Sequence, residues 1–293
     1  MMSTTRNRFL VIYLFSLLGL MGAFSPAASA RTVVFIHGLL ENSMSWQQSG
    51  ITAILRQSPH QWANGGHYFW TPYGIRQTLT THTIPATVDA YYAVNLPSKS
   101  AIIRQSQVLD AYLRAIYTQR QQPVILVAHS AGGLVARYWL VANQYRRDAL
   151  PVAGLMTIAT PHLGTPLAKY ARLGTFFLSP LTFMGIDRYR HISPILRDVR
   201  PEKDNPLLAW LNHQPHPQIA YAAIIRQNQL SAIQQSMGQT MDVLIPPYRQ
   251  DMNHVYALRG RGQGQVVSLK RNREHGLTWA DGWDILHWLR QFK

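Results

Sequence analysis

Ser130 stands in the segment AHSAGG (128–133), between a continuous apolar run and a stretch of helical periodicity. A serine on such a strand-to-helix turn is exposed as a nucleophile, and the turn requires small residues two positions before and two positions after it. Ala128 and Gly132 meet that requirement, so the common G-x-S-x-G pattern becomes A-x-S-x-G. A helix start with Ser130 as its N-cap is the alternative for an isolated pentapeptide. The flanking strand and helix favour the nucleophile.

Acyl transfer by such a serine needs two hydrogen-bond donors for the oxyanion that forms. The helix that begins at Ala131 directs its positive end and the Ala131 N–H towards the serine. The second donor usually comes from the loop after an early central strand, where this sequence has His37-Gly38-Leu39-Leu40. The Leu39 N–H is the predicted second donor, and His37 is expected to orient the loop. An ordinary glycine turn at a strand end is the alternative.

The elements that must hold these residues follow from the apolar pattern. Short β-branched runs alternate with longer segments of helical period, which is typical of a mostly parallel sheet covered by helices on both faces. The predicted strands are 32–38, 90–96, 123–129, 152–160, 219–226 and 265–270, and the predicted helices are 100–120, 131–143 and about 280–292. The sequence therefore predicts a single α/β domain without internal repeats.

The amino-acid composition excludes several classes of protein and of chemical site. Of 293 residues, 47% are apolar and 14% are charged, so one large core is expected. The 28 Lys and Arg residues against 13 Asp and Glu residues give a formal net charge of +15, which excludes an acidic disordered chain. Without cysteine there is no disulfide, thiolate metal site or cysteine nucleophile. No metal-ligand spacing and no nucleic-acid motif is present, so neither a metal, a cofactor nor a nucleic-acid partner is predicted.

The N-terminal segment that ends at Ala30 is predicted to be a secretory signal peptide. Arg6 and Arg8 precede an apolar run of 16 residues (9–24), and a small-residue cleavage pattern follows it. An uncleaved membrane anchor is the alternative, but this run is shorter than the roughly 20 residues that span a bilayer. The mature domain is then expected to be 31–293, in the periplasm or the medium.

Two intervals, 59–87 and 163–217, are longer than ordinary connections between elements. Both are rich in aromatic residues, which disordered segments lack, so both are predicted to be ordered surface excursions over a pocket. The second is expected to be a mobile lid that covers the pocket in water and meets lipid at an interface, and a fixed helical cap that only shapes the pocket is the alternative. Its apolar residues are Phe176, Phe177, Leu178, Leu181, Phe183 and Met184, and its arginines Arg188, Arg190, Arg197 and Arg200 are expected to contact anionic headgroups.

Three motifs together, FIHGLL (35–40), VAHSAGGLVAR (127–137) and ATPHLGTPLA (159–168), resemble the bacterial triacylglycerol lipases and related serine esterases of the α/β-hydrolase superfamily. The alanine at the first elbow position is similar to a known lipase subgroup. The resemblance covers about 31–169, and it implies an α/β-hydrolase fold and a secreted serine carboxylic-ester hydrolase that cleaves acyl esters. The residues from 170 to 216 match no motif of these families.

The resemblance implies an acid after a later strand and a histidine after the next one, in the order Ser, Asp, His. It assigns the acid to Asp242, in MDVLIPP (241–247), a segment similar to the D-x-x-V-P signature of these lipases. Ile245 replaces the valine of that signature. Asp251 is the alternative acid, and either aspartate could instead be a solvated loop carboxylate.

His275 is assigned as the base because it follows the last predicted strand and precedes the closing helix. His254 precedes that strand and is less well placed, while His287 falls inside the closing helix and is expected to be a packing or surface residue. The same Ser-His-Asp set also serves thioesterases, amidases and acyltransferases, and a noncatalytic lipid-binding envelope protein can keep the fold. Trp46 is expected either to line an acyl pocket or to be buried.

Overall fold

The computed structural model describes residues 30–59, 61–78, 83–166, 194–227, 245–259 and 266–292. Outside these ranges lie residues 1–29 of the predicted signal peptide, residues 167–193 of the predicted cap, and Asp242. Among the helices of the described ranges, none has both the length and the apolar character needed to cross a bilayer.

Eight strands of the described chain form one sheet. They are β1 (Thr32–Ile36), β2 (Ala63–Thr71), β3 (Gly74–Gln77), β4 (Ala90–Val94), β5 (Val124–His129), β6 (Val152–Ile158), β7 (Ala220–Arg226) and β8 (Val266–Arg271). Their spatial order is β3-β2-β4-β1-β5-β6-β7-β8, and every pair is parallel except β2 with β3. All six predicted strands are present, with ends that differ by one or two residues.

Helices connect the parallel strands, as a parallel sheet requires. They are α1 (Ser45–Gln48), α2 (Ile51–Gln57), α3 (Ile102–Arg120), α4 (Ala131–Asn143), α5 (Pro206–His213), α6 (Pro247–Gln250) and α7 (Trp279–Leu289). A helical segment also covers 194–198, and 3-10 turns cover Glu202–Asp204, Met252–His254 and Tyr256–Leu258. The three predicted helices correspond to α3, α4 and α7.

The core lies on both faces of the sheet. Val34 and Ile36 of β1 join an apolar cluster with α3, α4 and α5, while Val33 and Phe35 join a second cluster with α1, α2 and α7. Successive side chains of a strand point to opposite faces, so a strand covered on both sides must be apolar at every position. This explains the continuous apolar runs of the sequence.

The expectation that 59–87 is a surface excursion is wrong, because this interval forms β2 and β3 at one edge of the sheet. Trp62 and Tyr68 of this interval are buried, whereas Trp70 and Tyr73 are exposed. Tyr68 packs edge-on against Tyr92, with ring centroids 6.0 Å apart. The strand pattern is interrupted by a register shift within β2 and by Gly65, where a Cβ would lie 2.1 Å from the Tyr92 ring. Glycine and irregular pairing conceal a strand from its apolar pattern.

Residues 194–217 of the second interval contribute to the core of the domain. Ile195, Leu196, Leu208 and Leu211 are buried in the cluster that contains α3 and α4. The apolar residues proposed for the lid lie in 167–193, outside the described ranges, and their role stays a prediction.

A buried ion pair joins the end of β7 to the start of α7. Arg226 Nη1 and Nη2 lie 2.9 and 2.6 Å from the two carboxylate oxygens of Asp281, and neither side chain is exposed. Asp281 also caps α7 by accepting the Thr278 N–H at 2.9 Å. Arg226 Nη2 donates in addition to the Gly276 carbonyl at 3.3 Å. The ion pair therefore anchors the loop between β8 and α7.

Removing the carboxylate of this pair tests how much the anchor contributes to stability. Asp281→Ala is expected to lower the free energy of unfolding by about 3–5 kcal/mol, because it removes the carboxylate that pairs with the buried Arg226 guanidinium. Urea unfolding measures the loss. Asp148→Ala, which breaks an exposed pair with Arg146, is the control and should hardly move the unfolding midpoint. Equal midpoints for the two variants would contradict a stabilising anchor.

Candidate active site

Ser130 lies in the turn from β5 to α4 with φ +52° and ψ −130°. A positive φ is unusual for a residue with a side chain and persists only where the surrounding structure holds it. Here the Ser130 N–H donates to the Ile158 carbonyl at 2.8 Å, and the Ser130 carbonyl accepts from Thr160 Oγ1 at 2.9 Å. The neighbouring end of β6 therefore holds the turn that presents the serine.

The small residues of the elbow allow the loop after β1 to approach the serine. A Cβ on Gly132 would lie 2.4 Å from the His37 carbonyl oxygen, and a Cβ on Gly38 would lie 2.8 Å from the Ser130 Cβ. Backbone atoms cannot yield to a side chain at such distances. Ala128, by contrast, lies inside β5 and is fully buried in the core, where a methyl group fits.

His275, in the loop between β8 and α7, lies beside the serine. Its Nε2 is 3.0 Å from Ser130 Oγ. Burial lowers the pKa of His275 to about 3, with a smaller contribution from the neighbouring His129. A neutral imidazole at this distance can take the hydroxyl proton. The sequence-predicted nucleophile and base are thus brought together.

The second ring nitrogen of His275 has no acceptor among the described residues. Nδ1 is buried and makes no hydrogen bond there. A base of this kind ordinarily donates from that nitrogen to a carboxylate. Asp242, the predicted acid, lies outside the described ranges, so its assignment stays a prediction.

The alternative acid and base have other surroundings. The Asp251 carboxylate accepts from Ser268 Oγ at 2.6 Å and from the Asn253 N–H at 3.0 Å, so it caps a 3-10 turn. His254 ends that turn and is exposed, and His287 is exposed on α7. Within the described chain, none of the three contacts Ser130 or His275.

The two predicted oxyanion donors have a defined setting. His37 Nδ1 donates to the Gly38 carbonyl at 2.9 Å, while its Nε2 accepts the Leu96 N–H at 2.9 Å. Burial lowers the pKa of His37, in keeping with this neutral form. The Gly38 carbonyl and the Leu39 N–H belong to one trans peptide and point in opposite directions. His37 therefore orients the Leu39 N–H, and neither this group nor the Ala131 N–H donates to another described residue.

The structure adds two residues to the site that the sequence did not predict, Glu41 and His129. His129 Nδ1 lies 2.9 Å from Glu41 Oε2, and His129 Nε2 lies 2.9 Å from the His275 carbonyl oxygen. The only sequence signal for His129 is its place before Ser130, and Glu41 carries none. Trp46, the expected pocket or core aromatic, is fully buried and stacks on Phe35 at 4.5 Å between ring centroids.

No group of three or more His, Asp or Glu side chains within the described ranges is arranged to hold a metal ion. The chemistry that this arrangement can perform is proton transfer between Ser130 and His275 beside the N–H groups of Leu39 and Ala131, which donate to no other described residue. Nucleophilic attack by an activated serine requires that combination.

A family model of the PGAP1-like α/β domain matches residues 27–183, which is more than half of the chain. The chain belongs to the PGAP1-like α/β domain family. A search of curated proteins by sequence finds no match. The family assignment and the sheet topology confirm the expected α/β-hydrolase fold.

Solved structures share the fold of this PGAP1-like domain. The product of gene lin2722 from Listeria innocua aligns with a TM-score of 0.58 at 14% identity, covering 90% of this chain and 95% of that one. The mature lipase BlEst2 from Bacillus licheniformis aligns with a TM-score of 0.56 at 15% identity, covering 92% and 94%. Phospholipase PlaB from Legionella pneumophila aligns with a TM-score of 0.50 at 13% identity, covering 77% and 46%. At these identities the likeness shows the fold.

The close approach at the elbow of this PGAP1-like domain can be tested with one methyl group. Gly132→Ala is expected to lower the free energy of unfolding by about 1–3 kcal/mol, because its Cβ meets backbone atoms of the loop after β1. Gly276→Ala is the matched control, since a Cβ there has nothing within 4 Å. Urea unfolding of both variants measures the difference. A Gly132→Ala protein as stable as the control would show that the loop can withdraw.

Proposed function

We propose that this protein is an exported serine carboxylic-ester hydrolase with lipase-like activity on acyl esters. The observation that carries the proposal is the 3.0 Å contact between Ser130 Oγ and His275 Nε2, on the turn between β5 and α4. The α/β-hydrolase fold, which the mature lipase BlEst2 shares, supports it. Export rests on the predicted signal peptide that ends at Ala30.

The proposed reaction begins when His275 takes the proton from Ser130 as Oγ attacks the ester carbonyl carbon. The carbonyl electron pair moves to oxygen, and the N–H groups of Leu39 and Ala131 bind the resulting oxyanion. The oxyanion collapses and breaks the bond to the alcohol, which leaves with the proton from His275. Water then repeats the sequence on the acyl-enzyme, releasing the acid and restoring the serine. Asp242 is assigned to hold the tautomer of His275 and to stabilise its cation.

Exposed apolar side chains stand close in sequence to the motifs of the site. Leu40, in the oxyanion loop, and Met44 are 44% and 40% exposed. Trp279, at the start of α7 in the segment that carries His275, is 60% exposed. We propose that they meet the acyl chains of a lipid, and that the net charge of +15 favours an anionic surface.

Loss of the serine hydroxyl is the first test of the proposed function. Ser130→Ala should lose about 10⁶-fold in kcat while remaining folded, because the nucleophile is gone and a small side chain still fits the turn. Hydrolysis of a matched ester, thioester and amide by the wild type and by Ser130→Ala measures the loss of kcat. The same series distinguishes esterase, thioesterase and amidase activity. Wild-type protein that neither turns over a substrate nor reacts with a phosphonate serine probe would favour a noncatalytic lipid-binding role.

The acid is tested by comparing Asp242→Asn with Asp251→Asn. Asp242→Asn should lower kcat by about 10⁴-fold, as loss of the orienting carboxylate does in other serine hydrolases, whereas Asp251→Asn should change it little. Burial lowers the pKa of His275 to about 3, and no described carboxylate contacts its Nδ1. A carboxylate of Asp242 beside Nδ1 would raise that pKa, so Asp242→Asn should move the acid limb of the kcat/KM profile to lower pH.

The base is tested in the same way with His275→Ala and His254→Ala. His275→Ala should be nearly inactive and His254→Ala nearly normal. If instead Asp251→Asn and His254→Ala are the crippled variants, the acid and the base are misplaced.

A further inference from the structure

Three separate segments of the site meet at a second carboxylate–histidine pair, Glu41 with His129. His129 ends β5 and is buried, with its Nδ1 2.9 Å from Glu41 Oε2 and its Nε2 2.9 Å from the His275 carbonyl oxygen. The same Glu41 oxygen accepts the Gly38 N–H at 2.7 Å. The pair therefore connects the oxyanion loop, the residue before the nucleophile and the loop of the base.

Both ring nitrogens of His129 face acceptors. Burial alone raises the pKa of Glu41, but the hydrogen bond and charge of His129 and the Gly38 N–H outweigh it and lower that pKa to about 2. Glu41 is therefore an ionised acceptor, and the His275 carbonyl can only accept. His129 thus bridges one acceptor on the loop after β1 and one on the loop after β8.

The titratable and charged groups around His129 lie on three segments. Glu41 and His37 face it from the loop after β1, and the His275 ring faces it from the loop after β8 at 5.2 Å between ring centroids. Arg226 adds positive charge near His275 from the end of β7. Glu41 is the one anion in this described group.

We propose that Glu41 and His129 are positioning residues for the acyl transfer proposed above, on which this inference rests. Their contact sets two distances at once. Through the Gly38 N–H, Glu41 holds the turn that aims the Leu39 N–H at the oxyanion, and through the His275 carbonyl, His129 holds the imidazole against Ser130.

Glu41→Gln removes the charge and keeps the shape. The amide oxygen can still accept from the Gly38 N–H and from His129, but less strongly than a carboxylate does. In this variant kcat on a soluble ester should fall on the order of 100-fold, with little change in KM.

Glu202→Gln is the matched control. Glu202 also faces a histidine, with Oε1 3.6 Å from His213 Nδ1, but it lies in the 3-10 turn before α5 and touches none of the site residues. The kcat and KM of Glu202→Gln should match those of the wild type. Ser130→Ala, assayed beside these variants, reports separately on the proposed function: an active Ser130→Ala protein refutes the hydrolase mechanism, whatever Glu41→Gln does.

The contact between His129 and Glu41 can be measured by NMR in the absence of substrate. In protein labelled with ¹⁵N at histidine, the ring-nitrogen shifts of His129 should change in Glu41→Gln and stay unchanged in Glu202→Gln. Unchanged His129 shifts in Glu41→Gln would overturn the proposal. So would a kcat of Glu41→Gln equal to that of the wild type, or a loss of activity confined to KM.

Discussion

The backbone turn at Ser130 is the constraint on which the rest of the site depends. A positive φ at a residue with a side chain is unfavourable by itself, and here the Ile158 carbonyl and the Thr160 hydroxyl hold it from the adjacent strand end. The sharp turn requires glycine at 132, and that glycine admits the backbone of the loop after β1. Nucleophile and oxyanion donors are thus consequences of one local geometry.

The base depends on a different kind of restraint. Two consecutive carbonyls of the loop between β8 and α7 accept hydrogen bonds from buried side chains, His275 from His129 and Gly276 from Arg226. Each of these side chains also contacts a carboxylate that comes from another segment, Glu41 or Asp281. In a chain with a net charge of +15, these two acidic residues thus have a structural task.

The sequence predicted the features that depend on residues close together in the chain. Apolar runs located six strands, and the small residues around Ser130 located the elbow, because both depend on neighbours in sequence. The contact of Glu41 with His129 spans 88 residues and that of His129 with His275 spans 146, and no periodicity encodes either. The strand β2 was missed for a local reason, since Gly65 interrupts its alternation to make room for the Tyr92 ring. Asp242 rests on its motif alone.

The anchors of the loop that carries His275 act on main-chain oxygens and not on its side chain. A carbonyl is present whatever residue occupies the position, so the path of this loop is independent of the imidazole that it presents. Scaffold and reactivity are therefore separable here. A descendant that exchanged His275 for an inert residue would keep the outline of a hydrolase, with the same loop in the same place, and could be recruited for binding alone.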